Sequence, residues 1–354
     1  VNGEKEYEAK IIGADPLSDL AVLEIQSKDQ FVAVKFGDSD KARIGDWVIA
    51  IGNPFGLGGT VTSGIISARN RSLGLSRYED YIQTDALLGL QIPRTTEKDE
   101  MVFIMYHQVN ELLFKMILWE IDQVATSHEI APEKFEKHLL RVSRYFDMLS
   151  SSFTVMMNGM DVDQYLKFRN TLAPASGFQS AQYRKIEFAS TELINLIDAR
   201  FRKTIDRNTP FKNAFDHLYW QAAGKNYETG EKSILLKLFE KKYMGDFIDF
   251  MEDYNEINLS KRFKQLPKES RENKALINAM RHYDYTVNIK WVMAHYNAAN
   301  KYLGDGDIEA TGGSNWQKYM HPKYQKRIFF PELWSHNEIE NWGITNLESF
   351  EIIQ

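Results

Sequence analysis

The feature that most constrains this chain is a change of periodicity near residue 87. Residues 1–75 alternate apolar and polar with period two, in EYEAKIIGAD, DLAVLEIQ, FVAVKFG, DWVIAIGNP and TVTSGIISAR. That is the pattern of half-buried strands, and the intervening ADPLSD, GDSD and GNPFGLGG supply turn chemistry. From Leu87 onward the texture is helical. Residues 97–129, EKDEMVFIMYHQVNELLFKMILWEIDQVATSHE, run without Gly or Pro and are amphipathic throughout. No single layer serves both periods, so the chain is expected to be mainly α, a helical bundle behind an N-terminal, incomplete antiparallel β-barrel fragment.

Composition narrows the chemistry. There is no cysteine, which removes disulfides, zinc–thiolate sites, iron–sulfur clusters and thiolate-ligated haem together. Any metal must use His, carboxylate or Tyr. A net charge of −6 argues against nucleic acid as the main partner, because phosphate binding favours a basic surface. No apolar run reaches the roughly 18 residues of a membrane span and no leader-like segment opens the sequence, so a cytoplasmic location is expected. GNPFGLGG lacks the Lys-Ser/Thr ending of a phosphate loop and no helix follows it, so it reads as a hairpin loop.

Within the helical region, Pro132 stands where a helix can begin without losing a hydrogen bond. Further helices are expected over about residues 180–205, 231–260 and 268–303. Three pairs place an aromatic ring four residues before a basic or coordinating group: Phe103 and His107, Tyr165 and Arg169, Trp291 and His295. Each pair shares one helix face. On spacing alone, a His on an apolar face is more often a hydrogen-bonded core residue than a ligand, and Tyr165 with Arg169 is equally a packed ring beside a surface cation.

Residues 1–86 resemble the HtrA family of trypsin-like serine proteases, in DPLSDLAVLEI, FGDSDKARIGDWVIAIGNPFGLGGTVTSGIISA and YEDYIQTDA. The resemblance implies that Asp19 is the Asp of a Ser-His-Asp triad. That Asp only orients an imidazole, which in turn activates a serine. The family's His falls before the first residue of this sequence. Its Gly-Asn-Ser-Gly-Gly string follows QTDA, where this chain reads Leu87, Leu88 and Gly89. Asp19 is thus expected to be a relic, and residues 1–77 to hydrolyse nothing.

Residues 78–354 resemble the tryptophan 2,3-dioxygenase family, in YEDYIQTDALLGLQ, DEMVFIMYHQVNELLFKMILWEID, QYLKFRNTLAPASGFQSAQYRKIEF, ATGGS and FFPELW, in family order. YEDYIQTDA fits both families, so the two meet inside a shared string, as in a chimera. The second resemblance implies a haem b enzyme that inserts O2 across the indole C2–C3 bond of L-tryptophan to give N-formylkynurenine, opening the kynurenine route of tryptophan breakdown. It implies that His295 is the axial iron ligand, that His107 is distal and bonds the indole N–H, and that Phe103 packs on the indole. Arg169 would take the carboxylate, Tyr165 would line the same wall, Thr311 would contact the amino-acid backbone, and Ser176 would lie near the haem. Tyr78, Tyr81 and Ile82 would complete a neighbouring subunit's pocket in a homotetramer. The sequence departs from the family pattern at Ala294, where an Arg is usual, and in Ala310–Trp316, where two glycines are lost and the loop is expected to be stiffer. Other readings are a relative acting on another indole, a non-catalytic haem protein, a protease fragment and an inert helical scaffold.

Overall fold

The computed structural model describes residues 7–15, 20–43, 46–52, 60–71, 81–84, 93–172, 180–226, 229–304 and 320–344. Asp19, Tyr78, Ser176, Thr311 and residues 53–59 of the Gly-rich loop lie outside the described residues, and of Tyr81 and Ile82 only the backbone is described. Contacts divide the chain into two units, Val1–Ile92 and Pro93–Gln354.

The first unit is antiparallel β, as the alternation requires. Strand β1 (Ala9–Asp15) pairs with β2 (Leu20–Ile25), and β3 (Trp47–Gly52), β4 (Thr60–Arg71) and β5 (Tyr81–Thr84) form a second sheet in that order. Every residue of β1 and β2 is exposed. Trp47, Ile49 and Ile51, which share one face of β3, are at least 66% exposed, whereas Ile66 on β4 is buried. FVAVKFG, expected as a strand, pairs with nothing among the described residues, and Val32, Val34 and Phe36 stand in solvent. Alternation alone gives a strand its face, but a ladder needs a neighbour to take its backbone groups.

The second unit is helical: α1 (Asp99–Ala125), α2 (Pro132–Gly159), α3 (Val162–Phe168), α4 (Ala181–Ser190), α5 (Phe211–Phe215), α6 (Ile234–Tyr254), α7 (Leu259–Gln265), α8 (Lys268–Arg271), α9 (Lys274–Tyr285), α10 (Trp291–Leu303) and α11 (His336–Glu340). The molecule is therefore mainly α with an N-terminal β fragment. Local chemistry sets the helix starts. Pro132 occupies the first turn of α2, Asp161, Ser180, Ser233, Asn258 and Asn273 accept first-turn N–H groups, and Ser335 and Glu338 close a capping box. The main core lies between α1, α2, α4, α6 and α9.

Three expected helices are interrupted, the one over 231–260 after Tyr254, where Asn258 caps a new helix. The one over 180–205 stops at Ser190, because Thr191 turns extended and its hydroxyl donates to Phe329 O at 2.5 Å, tying the C-terminal segment down. The one over 268–303 is broken by Asn273, whose side chain starts α9 afresh. It then widens into a π turn at Thr286–Lys290 before continuing as α10. Such wide turns recur at functional sites.

Candidate active site

The six residues of the three spaced pairs have described side chains, and the fold gathers them at one place. Helix α1 carries Phe103 and His107, α3 and the 3-10 turn after it carry Tyr165 and Arg169, and α10 carries Trp291 and His295. Between α1, α2, α3 and α10 lies a second apolar cluster, built on Tyr106, Phe153, Met156, Phe168, Ala298 and Tyr302, with Phe103, Tyr165, Trp291 and Ala294 packed against it.

The aromatic contacts run through the site as a chain. The Phe103 ring centre lies 4.1 Å from that of His107, 5.7 Å from Phe168 and 6.0 Å from Tyr165. Tyr165 in turn meets Tyr302 at 4.6 Å. On the other side Tyr106 lies edge-on to His107 at 5.4 Å and touches Phe153, and Phe153 stacks on His295 at 5.3 Å and 15°. Trp291, one turn before His295, leans on Tyr183 at 4.7 Å and stands edge-on to Phe114 and Phe146. The His295 ring is thus held between a stacked phenyl and an anchored indole.

The two histidines are chemically distinct. The His107 Nδ1 lies 2.7 Å from Phe103 O. A carbonyl can only accept, so in the neutral ring Nδ1 carries the proton and Nε2 keeps a lone pair. Burial pushes the His107 proton affinity down, more than the Phe103 carbonyl and Glu111 restore it. The His107 side chain nonetheless keeps accessible surface. The protein packed around the ring, more than its accessible area, sets the cost of charging it. For His295, half-buried, burial and then the nearby His107 lower the pKa to about 4. Both imidazoles are therefore held toward the neutral form, and a charge on His107 would further disfavour one on His295.

Arg169 is only 9% exposed, so the surface-cation alternative is overturned: α3 turns the side chain inward. Its backbone N–H donates to Tyr165 O. Burial raises the Tyr165 phenol while the Arg169 charge pulls it back, which places a cation beside that ring. Among the described residues no three His, Asp or Glu side chains converge to hold a metal ion. One neutral imidazole is enough for a porphyrin, which brings its own four nitrogens. Phe153, Tyr106 and Tyr302 were not legible as site residues. Phe153 meets His295 only through the α2–α10 packing, and no local spacing reports such a contact.

Comparison with known proteins gives two segments. Residues 66–241 match the family model for tryptophan 2,3-dioxygenase, and residues 2–90 match that for the trypsin-like peptidase domain. Phe103, His107, Tyr165 and Arg169 fall inside the first match, whereas His295 lies beyond its end. The chain is 65% identical over 85 residues to a probable periplasmic serine endoprotease DegP-like of Brucella suis, covering 24% of this chain and 17% of that protein. It is 53% identical over 86 residues to the periplasmic serine endoprotease DegP of Escherichia coli K12, covering 24% and 18%. A solved structure of the HtrA-type protease AlgW with a decapeptide is 56% identical, covering 23% of this chain and 25% of that one, at a TM-score of 0.22. The chain thus spans less than a fifth of the length of these curated relatives. The chain is similar over residues 2–90 to trypsin-like peptidases of the DegP/HtrA type and over residues 66–241 to the tryptophan 2,3-dioxygenase family, the two matches overlapping in residues 66–90.

Proposed function

We propose that the helical unit is a haem-dependent dioxygenase that takes L-tryptophan and O2 to N-formylkynurenine. The observation that carries this reading is the convergence of two histidines and one buried arginine on a single aromatic cluster. The side chains suit the group. His295 offers a neutral imidazole whose plane is fixed by Phe153, the form an axial ligand must have. Haem, when bound, would supply the chemistry that inserts O2 across the indole C2–C3 bond.

The chain's own groups bind and orient. The lone pair on His107 Nε2 accepts the indole N–H, a role that the Nδ1–H bond to Phe103 O fixes by choosing the tautomer. The Phe103 ring packs on the indole, Arg169 takes the carboxylate through its planar fork, and Tyr165 closes the wall and excludes water. A bare indole has no carboxylate for a buried guanidinium, which favours the amino acid over the other indole readings. Thr311 at the amino-acid backbone, Ser176 near the haem, and Tyr78, Tyr81 and Ile82 toward a neighbouring copy belong to the same proposal. The peptidase segment contributes no chemistry in it.

The test is an absorption spectrum after haem reconstitution. His295→Ala should abolish stable haem incorporation, and His107→Ala should keep a Soret band. If both variants bind haem as well as the unaltered chain, the axial assignment is wrong.

A further inference from the structure

The two residues that open α1 hold α3 at both of its ends. At the start of α3, Asp99 Oδ2 accepts from Asp161 N at 2.7 Å, and Asp99 N donates to Gln164 Oε1 at 3.2 Å. Lys98 gives α1 no side-chain cap, so Gln164 on α3 satisfies one of the N–H groups that a helix start leaves open. Beyond the end of α3, Glu100 does the holding. It is 1% exposed and accepts from Arg94 N at 2.8 Å, Thr95 N at 2.7 Å and the Thr95 hydroxyl at 2.6 Å. Arg94, with its backbone fixed in this way, donates from Nη1 to Thr171 O at 2.7 Å, and the Thr171 hydroxyl lies 3.4 Å from Glu100 Oε1. Burial raises the Glu100 carboxyl, and the bonds from Thr95 and Arg94 more than offset it, so the group stays an anion at neutral pH.

Arg169 stands two residues before Thr171, in the turn that this brace pins. Phe103 stands three residues after Glu100 and four after Asp99, on the same side of α1, and its ring packs on Tyr165 and Phe168. His107 follows one turn on. The residues that would meet an indole and the residue that would meet a carboxylate therefore belong to one braced unit. We propose that Glu100 is a positioning residue: through Arg94, Thr95 and Thr171 it fixes the turn carrying Arg169 in register with Phe103 and His107, and so sets the preference of the site for an indole that bears a carboxylate. This role rests on the tryptophan reading of the site, and Glu100 itself touches no substrate in it. A carboxylate suits the task because its two oxygens accept several donors at once. A glutamine there has one acceptor oxygen and would turn an NH2 group toward other donors.

Glu100→Gln keeps the volume and breaks the brace. Arg94→Met removes only the bond to Thr171 O, from an exposed side chain, so it decides the matter even where Glu100→Gln melts. In the haem-loaded chain, kcat/KM for L-tryptophan should fall by roughly 10- to 100-fold in Glu100→Gln, mostly through KM, the scale of a small misplacement of a binding group. Tryptamine, which has no carboxylate to misplace, should be turned over as before. Arg94→Met should act in the same direction by less, and Glu100→Asp, which keeps the charge, should recover part of the loss. On an Arg169→Ala background Glu100→Gln should cost nothing further, because it acts through Arg169. Hydrogen exchange, which needs no haem, should quicken over residues 94–98 and 162–172 and stay unchanged in α2, α6 and α9. Equal losses on tryptophan and tryptamine, an additive loss on the Arg169→Ala background, or kinetics unchanged in both Glu100→Gln and Arg94→Met would overturn the role of Glu100. An unaltered chain that prefers tryptamine, or turns over neither, would instead overturn the tryptophan reading itself and this role with it.

Discussion

Removing the charge of Glu187 gives the sharpest test of how the helical unit is held together. Glu187 is fully buried on α4 and accepts from Arg184 Nη1 at 2.8 Å, Arg327 Nη1 at 3.0 Å and the Tyr219 hydroxyl at 2.5 Å. Arg184 and Arg327 are 3% and 7% exposed. In Glu187→Gln the volume is kept and the anion is lost, leaving two guanidinium charges in the core without their carboxylate. Breaking a buried pair in this way costs about 3–5 kcal/mol. At roughly 2–4 °C per kcal/mol for a unit of this size, the melting temperature of the helical signal should fall by about 6–20 °C. Arg327→Met added to Glu187→Gln should restore part of the loss, since it removes one stranded charge. The same network reaches the site. Arg327 Nη1 donates to the Tyr183 hydroxyl at 3.1 Å, Tyr183 packs on Trp291, and Trp291 precedes His295 by one turn. Haem affinity should therefore weaken along with stability. Thermal and urea melts followed at 222 nm measure the effect, and a loss below about 1 kcal/mol would refute the claim that the anion carries this network.

Two further predictions follow from buried charge. Arg169→Ala should lower kcat/KM for tryptophan by roughly 30- to several-thousand-fold, the 2–5 kcal/mol typical of truncating one partner of a buried charged pair. Arg169→Lys should recover only part of this, and tryptamine, which lacks the carboxylate, should be turned over equally slowly with and without the mutation; an equal loss on both substrates would show that Arg169 only supports the fold. Asp284 is buried among four donors, Phe329 N, Phe330 N, Trp334 Nε1 and Asn288 Nδ2, and burial outweighs these bonds to raise its pKa to about 6. The folded chain then holds this proton more tightly than the unfolded chain, so the stabilisation is complete below about pH 4 and is lost as pH rises through about 6. Relative to Asp284→Asn, whose side chain does not titrate, the protein should lose on the order of 2–3 kcal/mol of unfolding free energy between pH 4 and pH 7; a difference that stays flat over that range would show that the carboxyl is not buried as described.

The strongly periodic elements were legible because their information is local. A run without Gly or Pro, a proline at a first turn and a four-residue spacing are each complete within one segment, and they give α1, α2 and the pairs on α1, α3 and α10. What was not legible depends on partners far away in sequence. FVAVKFG has a strand's alternation but no neighbour to pair with. The break after Ser190 is decided by the Phe329 carbonyl, and the burial of Arg169 by the packing of α3 against α1 and α10. Phe153 holds His295 through a stacking contact that no string in either helix records. The buried Arg–Glu–Arg cluster was equally silent, since Arg327 lies 140 residues from Glu187 along the chain.

The π turn at Thr286–Lys290 has a consequence for how this helix tolerates editing. Tyr283 and Trp291 are eight residues apart, yet both rings pack against Phe146, at 6.2 and 6.1 Å. In an uninterrupted α-helix, eight residues would turn them roughly 80° away from each other. The wide turn absorbs one residue's worth of rotation, so the stretch carries one more residue than its two packed faces need. A single deletion between Thr286 and Lys290 would leave Tyr283, Trp291 and His295 in phase, closing the bulge into ordinary helix. A single insertion there, or a deletion a turn further on, would swing His295 away from Phe153. For this helix the sensitive variable is reading-frame arithmetic between two aromatic anchors, more than the identity of the residues between them.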